Sequence, residues 1–184
     1  MKTRTKKFTA LALAALMTMN SAVPAELTGD VRLACEAILC LSSSARPGEC
    51  SPSLARYFGI TRKRLKDTIS ARKDFLRLCP SASADKNMET LVDAIANGAG
   101  RCSANELNRS LQYFLTNDVI AVRNSMPGYC STWFDHPYTD LKEVRPLYVG
   151  IPDKGGFWTE PENFESAKKH YESQLRNSKR TLFQ

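Results

Sequence analysis

Histidine is scarce in this sequence, and the motifs of several common enzyme chemistries are missing. The chain has two histidines among 184 residues, and neither stands at zinc-ligand spacing. No Cys-x-x-Cys occurs, which also argues against a thioredoxin-like redox centre. There is no Gly-x-Ser-x-Gly elbow and no glycine-rich phosphate loop. We therefore expect no catalytic residues, no metal and no cofactor, and we expect that the protein is not an enzyme.

Negative charge is absent from the first 25 residues, which have the layout of an export signal. Four cations within residues 1–7 precede the uncharged apolar run Phe8–Met19, and small residues stand at Val23 and Ala25. This order predicts a signal peptide over 1–25, cut after Ala25. The apolar run has 12 residues, which is short of the roughly 20 that span a bilayer. We therefore expect release into an oxidising compartment, where disulfides form.

The rest of the chain lacks a strong charge bias, internal repeats and a second apolar run long enough to span a membrane. Beyond the predicted leader 159 residues remain, with 22 Lys and Arg against 19 Asp and Glu, a net charge of +3. A mild positive charge does not indicate a nucleic-acid partner. The length fits one ordinary domain with its own core.

Six cysteines follow the predicted leader, and their even number favours structural disulfides over reactive thiols. They are Cys35, Cys40, Cys50, Cys79, Cys102 and Cys130. Six cysteines allow three bridges in 15 connectivities. Cys35 and Cys40 are five residues apart, so on one helix they point in different directions and should bridge to different partners.

The hydrophobic pattern predicts a mainly α, compact, disulfide-stapled domain of about five to six helices. Five predicted helices cover 29–43, 51–58, 61–79, 84–97 and 103–114. Residues 118–122 fit either a helical extension or a strand. The region 124–158 contains prolines and glycines and should be irregular, with a short hairpin over 147–158. A polar helix follows from Thr159.

Two sets of residues are candidates for catalysis, and each has a structural alternative. His136 lies six residues from Cys130, and a free cysteine with a nearby histidine is a candidate nucleophile pair, but oxidation of Cys130 removes that option. Glu36 and Glu106 are the carboxylates that a cell-wall glycosidase would use. Glu106 also fits a helix capping box that begins at Ser103, and Glu36 fits a surface role on its helix.

Two groups of residues are candidates for a partner surface. Arg62, Lys63 and Lys66 belong to the basic face of the third helix, which would contact an acidic protein or anionic lipid, or would simply be solvated. The candidate aromatic contacts are Trp133, Tyr138 and Trp158 in the loop-rich part. Such aromatic side chains anchor interfaces, but they also fill irregular cores.

The cysteine-rich segment carries a family resemblance. Its motifs are Cys-x4-Cys-Leu-Ser from Cys35, Glu49-Cys50-Ser51-Pro52, and Leu78-Cys79-Pro80. A later segment, His136-Pro137-Tyr138, adds to it. The chain resembles the TrbM family of conjugal transfer proteins, which also includes KikA-type proteins. The resemblance divides the chain into a TrbM-like helical domain at 26–140 and a C-terminal extension at 141–184.

The resemblance implies an accessory protein of mating-pair formation in the periplasm of a Gram-negative bacterium. Its partners would be protein components of a conjugative type IV secretion apparatus, with no nucleic acid and no evident small-molecule substrate, and an anionic membrane surface as a further option. Two alternatives stay open: a peptidoglycan hydrolase that assists apparatus assembly, and a saposin-like lipid-binding module.

Loop geometry favours one disulfide pairing among the fifteen. Cys40–Cys50 would close a short loop across Pro47-Gly48, and Cys35–Cys79 would join the first helix to the end of the third. Cys102–Cys130 then remains as the third bridge.

Overall fold

The computed structural model describes residues 27–115 and 119–181, so the predicted signal peptide at 1–25 lies outside the described residues. The helices are α1 (Gly29–Ser42), α2 (Ser51–Gly59), α3 (Leu65–Leu76), α4 (Lys86–Gly98), α5 (Ala104–Ser110), α6 (Gly128–Phe134) and α7 (Phe164–Thr181). The strands are β1 (Gln112–Phe114), β2 (Ile120–Val122), β3 (Leu147–Val149) and β4 (Phe157–Thr159). The mainly α fold predicted from the sequence is confirmed.

The described residues contain seven α-helices, one more than the five to six predicted, and α6 lies in the region that the sequence predicts as irregular. Pro127 precedes its first residue, and the Pro127 carbonyl accepts hydrogen bonds from the N–H groups of Cys130 and Ser131. Proline fits the start of a helix because the first N–H groups have no intrahelical partner. Cys130, Trp133 and Phe134 then fall on one buried face. The Pro-Gly pair therefore begins a helix here and does not mark a loop.

Helix α3 begins at Leu65, four residues after the predicted start. The N–H of Arg62 donates to Thr68 Oγ1 at 2.8 Å, and Arg72 donates to the carbonyls of Ile60 and Phe58. These side-chain bonds to the backbone compete with helix formation. Residues 60–64 therefore form a loop that is fixed by two side chains of α3.

Helix α5 ends at Ser110, so the prediction that it reaches Phe114 is wrong. The residues that follow pair as an antiparallel hairpin, in the register Gln112↔Val122, Tyr113↔Ala121 and Phe114↔Ile120. The aromatic and β-branched residues in this stretch favour a pleated strand over a helix. The ambiguity over 118–122 is thus resolved as a strand for residues 120–122.

The core lies around α4, which packs against α1, α3 and α6. Leu91, Val92 and Ile95 form the buried face of α4. The hydroxyl of Tyr57 donates to the carbonyl of Ile95 at 3.2 Å, and burial raises the pKa of Tyr57 to about 12. α2 is thereby hydrogen-bonded to the central helix by a tyrosine that stays neutral.

Three disulfides join the helices, and they are the same pairs that loop geometry favours. Cys35–Cys79 joins α1 to the end of α3, and Cys40–Cys50 joins α1 to the turn before α2. Cys102–Cys130 joins the segment before α5 to α6. Cys35 and Cys40 do bridge to different partners, although both belong to α1.

The predicted hairpin over 147–158 is present as β3 and β4, and it packs on the helices. Both polar atoms of the Asn108 amide bond the backbone of Trp158, at 2.8 Å to its carbonyl and 2.7 Å from its N–H. The Asn108 side chain therefore satisfies the backbone of Trp158 on β4, as the backbone of a neighbouring strand would. The domain boundary at 140 stays a prediction.

Helix α7 covers the outer side of this hairpin through one tyrosine. Tyr171 is 6% exposed, and its hydroxyl accepts a hydrogen bond from the N–H of Ile151 at 3.1 Å. Gly150 has φ +84°, and a Cβ there would lie 2.3 Å from the Tyr171 ring. The close approach of helix and hairpin therefore requires glycine at this position. The helix itself begins at Phe164, after a turn over Pro161–Asn163, and not at Thr159.

Candidate interaction surfaces

Cys130 and His136, the candidate nucleophile pair, both have structural roles in the folded protein. Cys130 is fully buried and bonded to Cys102, so it has no free thiolate. His136 is 7% exposed in the turn after α6. The N–H of Tyr138 donates to His136 Nδ1 at 3.1 Å, and Nε2 lies 3.0 Å from Thr90 Oγ1. His136 therefore joins this turn to α4.

The contacts of His136 fix its tautomer. Because Nδ1 accepts a hydrogen bond, the neutral ring carries its proton on Nε2, which donates to Thr90. The Thr90 hydroxyl in turn donates to the α4 backbone. Burial lowers the pKa of His136, because the charged ring would be poorly solvated there.

The two carboxylates considered for wall hydrolysis are paired with arginines of their own helices. Glu36 Oε1 lies 2.6 Å from Arg32 on α1. Glu106 pairs with Arg109 on α5, while its N–H donates to Ser103 Oγ at 3.3 Å as the cap predicted. Each carboxylate is thus engaged by a cation of its own helix, and the two carboxylates stand on different helices, α1 and α5. Their surroundings fit a structural role on each helix.

Two of the three predicted aromatic contacts are buried, which corrects the proposed aromatic surface. Trp133 is 5% exposed, and its indole N–H donates to the carbonyl of Leu41 at 3.1 Å. Trp158 is 6% exposed and donates to the carbonyl of Arg123 at 2.9 Å. Both indoles belong to the core because the folded backbone satisfies their single polar atom. Neither is available to a partner.

Tyr138, the third aromatic candidate, is on the surface with 43% of its area exposed. Its ring packs edge-on against His136, and its hydroxyl donates to Asp85, the residue that caps α4. Part of Tyr138 therefore holds the turn in place, and part of its ring stays accessible.

The predicted basic cluster is exposed but is not confined to a helix face: Arg62 and Lys63 stand in the loop before α3, and Lys66 is the second residue of that helix. We call residues 61–66 the basic loop. Arg62, Lys63 and Lys66 are all exposed, and none of them has a carboxylate partner among the described residues. Arg64, in contrast, pairs with Asp67 at 2.6 Å.

An apolar hairpin face, defined here as Phe114, Val119 and Ile120, is a surface that sequence reasoning missed. Phe114 is 73% exposed, and Val119 and Ile120 are each 52% exposed. Phe114 and Ile120 are directly opposite in the register, so their side chains lie on one side of the sheet. The helical interpretation of residues 103–114 concealed this face, because the strand pairing that places Phe114 opposite Ile120 has no local signature.

An apolar cleft lies where the loop after α1 meets α6. It has a volume of about 350 Å³ and an opening to solvent. Its lining is Leu41, Ser44, Arg46, Phe58, Gly100, Cys102, Ser103, Trp133, Phe134, Leu141, Val144, Pro146 and Glu160. Glu160 accepts a hydrogen bond from the N–H of Ala104 at 2.7 Å. The carboxylate after β4 thus completes the start of α5, a contact that no local pattern indicates.

The described residues contain no group of three or more His, Cys, Asp or Glu placed to hold a metal ion. Within the same ranges, no helix combines the length and the hydropathy of a membrane span.

A family model described as TrbM matches residues 26–172. No curated protein and no solved structure matches the chain. The matched segment contains all six cysteines, the basic loop, both hairpins and the start of α7.

Proposed function

Because the chain belongs to the TrbM family, we propose that it is an accessory protein of plasmid conjugation that acts by binding other proteins. Family membership makes it a conjugal transfer-related protein, and the family is not known for enzymatic activity. The match over residues 26–172 is the observation that carries the proposal. We further propose that it acts in mating-pair formation and that its partners are protein components of a type IV secretion apparatus.

We place the protein in the periplasm of a Gram-negative bacterium. Three disulfides support this location, because such bonds persist in oxidising compartments and are rare in the bacterial cytosol. The predicted signal peptide at 1–25 points the same way. If export is required, a version without residues 2–25 should fail to restore transfer to a plasmid from which the gene is deleted.

The apolar hairpin face is the surface we assign to the protein contact. Phe114 and Ile120 form an exposed cross-strand pair that contributes little to the core. Apolar side chains that are exposed together favour binding to an apolar patch on another protein. We propose that a protein component of the transfer apparatus binds this face.

Complementation of the deletion plasmid tests the assignment. Phe114→Ser with Ile120→Ser should lower the transfer frequency by at least ten-fold, because a partner loses its two apolar contacts. Leu39→Ser is the matched control, since Leu39 is 70% exposed on α1 and lies outside the hairpin face. Thermal unfolding of each purified variant shows whether the fold is intact.

Two outcomes would contradict the proposal. Normal transfer with a folded Phe114→Ser, Ile120→Ser protein would remove the hairpin face as the contact. Wall-degrading activity of the oxidised protein in a zymogram, lost on Glu36→Gln or Glu106→Gln, would replace a binding role by hydrolysis.

A further inference from the structure

The basic loop concentrates positive charge around an exposed leucine. Arg62, Lys63, Arg64 and Lys66 surround Leu65 in sequence. The leucine is 55% exposed. Asp67 neutralises one of the four cations through its ion pair with Arg64. The loop therefore presents three unpaired cations beside an apolar side chain.

The backbone of this loop is held in one conformation before any partner arrives. Thr68 Oγ1 accepts from the N–H of Arg62, and Arg72 donates to the carbonyls of Phe58 and Ile60. The guanidinium of Arg72 also lies 5.0 Å from the centre of the Tyr57 ring, which is fully buried. Binding then requires little further ordering of the backbone, which favours affinity.

The composition of the loop does not serve the stability of the fold. Leu65 leaves more than half of its surface in water, so it gains little from packing. Arg64 and Lys66 stand at the first turn of α3, where the helix dipole disfavours positive charge. Residues that break local rules without a structural gain are typical of binding sites.

We propose that the basic loop binds the surface of a membrane that contains anionic phospholipid. Lys63, Lys66 and Arg62 contact the lipid phosphates, and Leu65 enters the interface between headgroups and acyl chains. A lipid surface supplies negative charge and an apolar layer side by side, which is the combination that the loop presents. An acidic protein would satisfy the cations, but it would match the leucine only where an apolar side chain lies beside its carboxylates.

Flotation with lipid vesicles tests this inference on the protein as the cell exports and processes it. Vesicles of phosphatidylcholine alone are compared with vesicles of phosphatidylcholine and phosphatidylglycerol in equal parts. At about 0.1 M salt, where exposed charges are screened beyond about 10 Å, the protein should float with the anionic vesicles alone. Binding should weaken as salt is added.

Three variants separate the effects of the positive charge on the basic loop, of the insertion of Leu65, and of the protein's net charge. Lys63→Gln with Lys66→Gln should reduce partitioning by about 25-fold, since each cation near an anionic surface contributes about five-fold. Leu65→Ser keeps every charge and should reduce it by about ten-fold through lost insertion. Lys168→Gln with Lys169→Gln removes the same charge from the exposed face of α7 and should change partitioning by less than about two-fold.

If the Lys63→Gln, Lys66→Gln variant and the Lys168→Gln, Lys169→Gln variant lost vesicle binding equally, the proposal would be overturned, because net charge alone would then explain binding. Absence of flotation by a folded wild-type protein would also overturn it. If the loop variant then lowered conjugation, an acidic protein would be the occupant. Because the vesicle assay needs no transfer apparatus, its failure would leave the proposed role in conjugation untouched.

Discussion

Gly98 and Trp133 are the residues that set how closely α4 and α6 approach. A Cβ at position 98 would lie 2.7 Å from Trp133 Cβ and 2.9 Å from its Cγ. Those atoms are the root of the side chain, so they move only if α6 moves. Both residues are buried in the core. The contact therefore couples the central helix to the helix that carries Cys130.

Gly98→Ala is expected to destabilise the protein by about 1–3 kcal/mol, as overpacking a core does. Urea unfolding monitored by Trp fluorescence measures this change. Gly59→Ala is the matched control, because Gly59 also ends a helix and nothing lies within 4 Å of its added Cβ. That change should be neutral or stabilise by about 0.5–1 kcal/mol. Equal effects of the two substitutions would show that helices α4 and α6 are not closely packed.

Residue types alone did not separate interface aromatics from core aromatics. Trp133 and Trp158 look like exposed anchors in a loop-rich sequence, yet both are in the core. Their burial depends on carbonyls of Leu41 and Arg123, which are distant in sequence and bond the indole N–H groups. Such a partner becomes visible only when the chain is folded, because it has no local signature.

At the scale of elements, strong periodicity predicted the helices, and their ends depended on tertiary contacts. α1 and α4 agree with prediction within two residues at each end, because each has a clear apolar stripe and a turn signal beyond it. α3 starts late because Thr68 and Arg72 hold the preceding loop. α5 stops early because β1 finds a strand partner in β2.

The disulfides of α1 should differ in their contribution to stability. Cys35–Cys79 spans 44 residues and Cys40–Cys50 spans 10, so loss of chain entropy predicts about 4 and about 3 kcal/mol, respectively. Replacing Cys35 and Cys79 by Ala should therefore lower the free energy of unfolding by about 1 kcal/mol more than the same change at Cys40 and Cys50.

The comparison is well matched because each double variant removes two sulfur atoms, and both bridges begin on the same helix. Peptide mapping without reductant verifies the remaining bridges in each variant. The reverse order of stability would mean that strain or residual structure in the unfolded chain outweighs loop length.

For the whole molecule, the bridges and the core are unevenly distributed. All six cysteines lie at or before Cys130, whereas the hairpin β3–β4 and α7 are held by packing and hydrogen bonds. The candidate site was predictable in part. A run of cations is visible in the local sequence, so Arg62, Lys63 and Lys66 could be predicted as an exposed cluster. The apolar hairpin face depends on pairing across residues 114 and 120, which no local pattern determines.

This distribution predicts a gradient of local stability that hydrogen exchange can measure. Amides of α4 should exchange slowest, since that helix is central to the core. Amides of α7 should exchange fastest among the long helices, because Tyr171 is the one buried residue among its described side chains. Tyr171→Ala removes the contact with Ile151 and Gly150, so α7 should lose protection while α4 keeps it. If α4 and α7 lost protection together, residues 141–181 would unfold with the disulfide-bonded helices as one cooperative unit, and uneven bridging would have no effect on local opening.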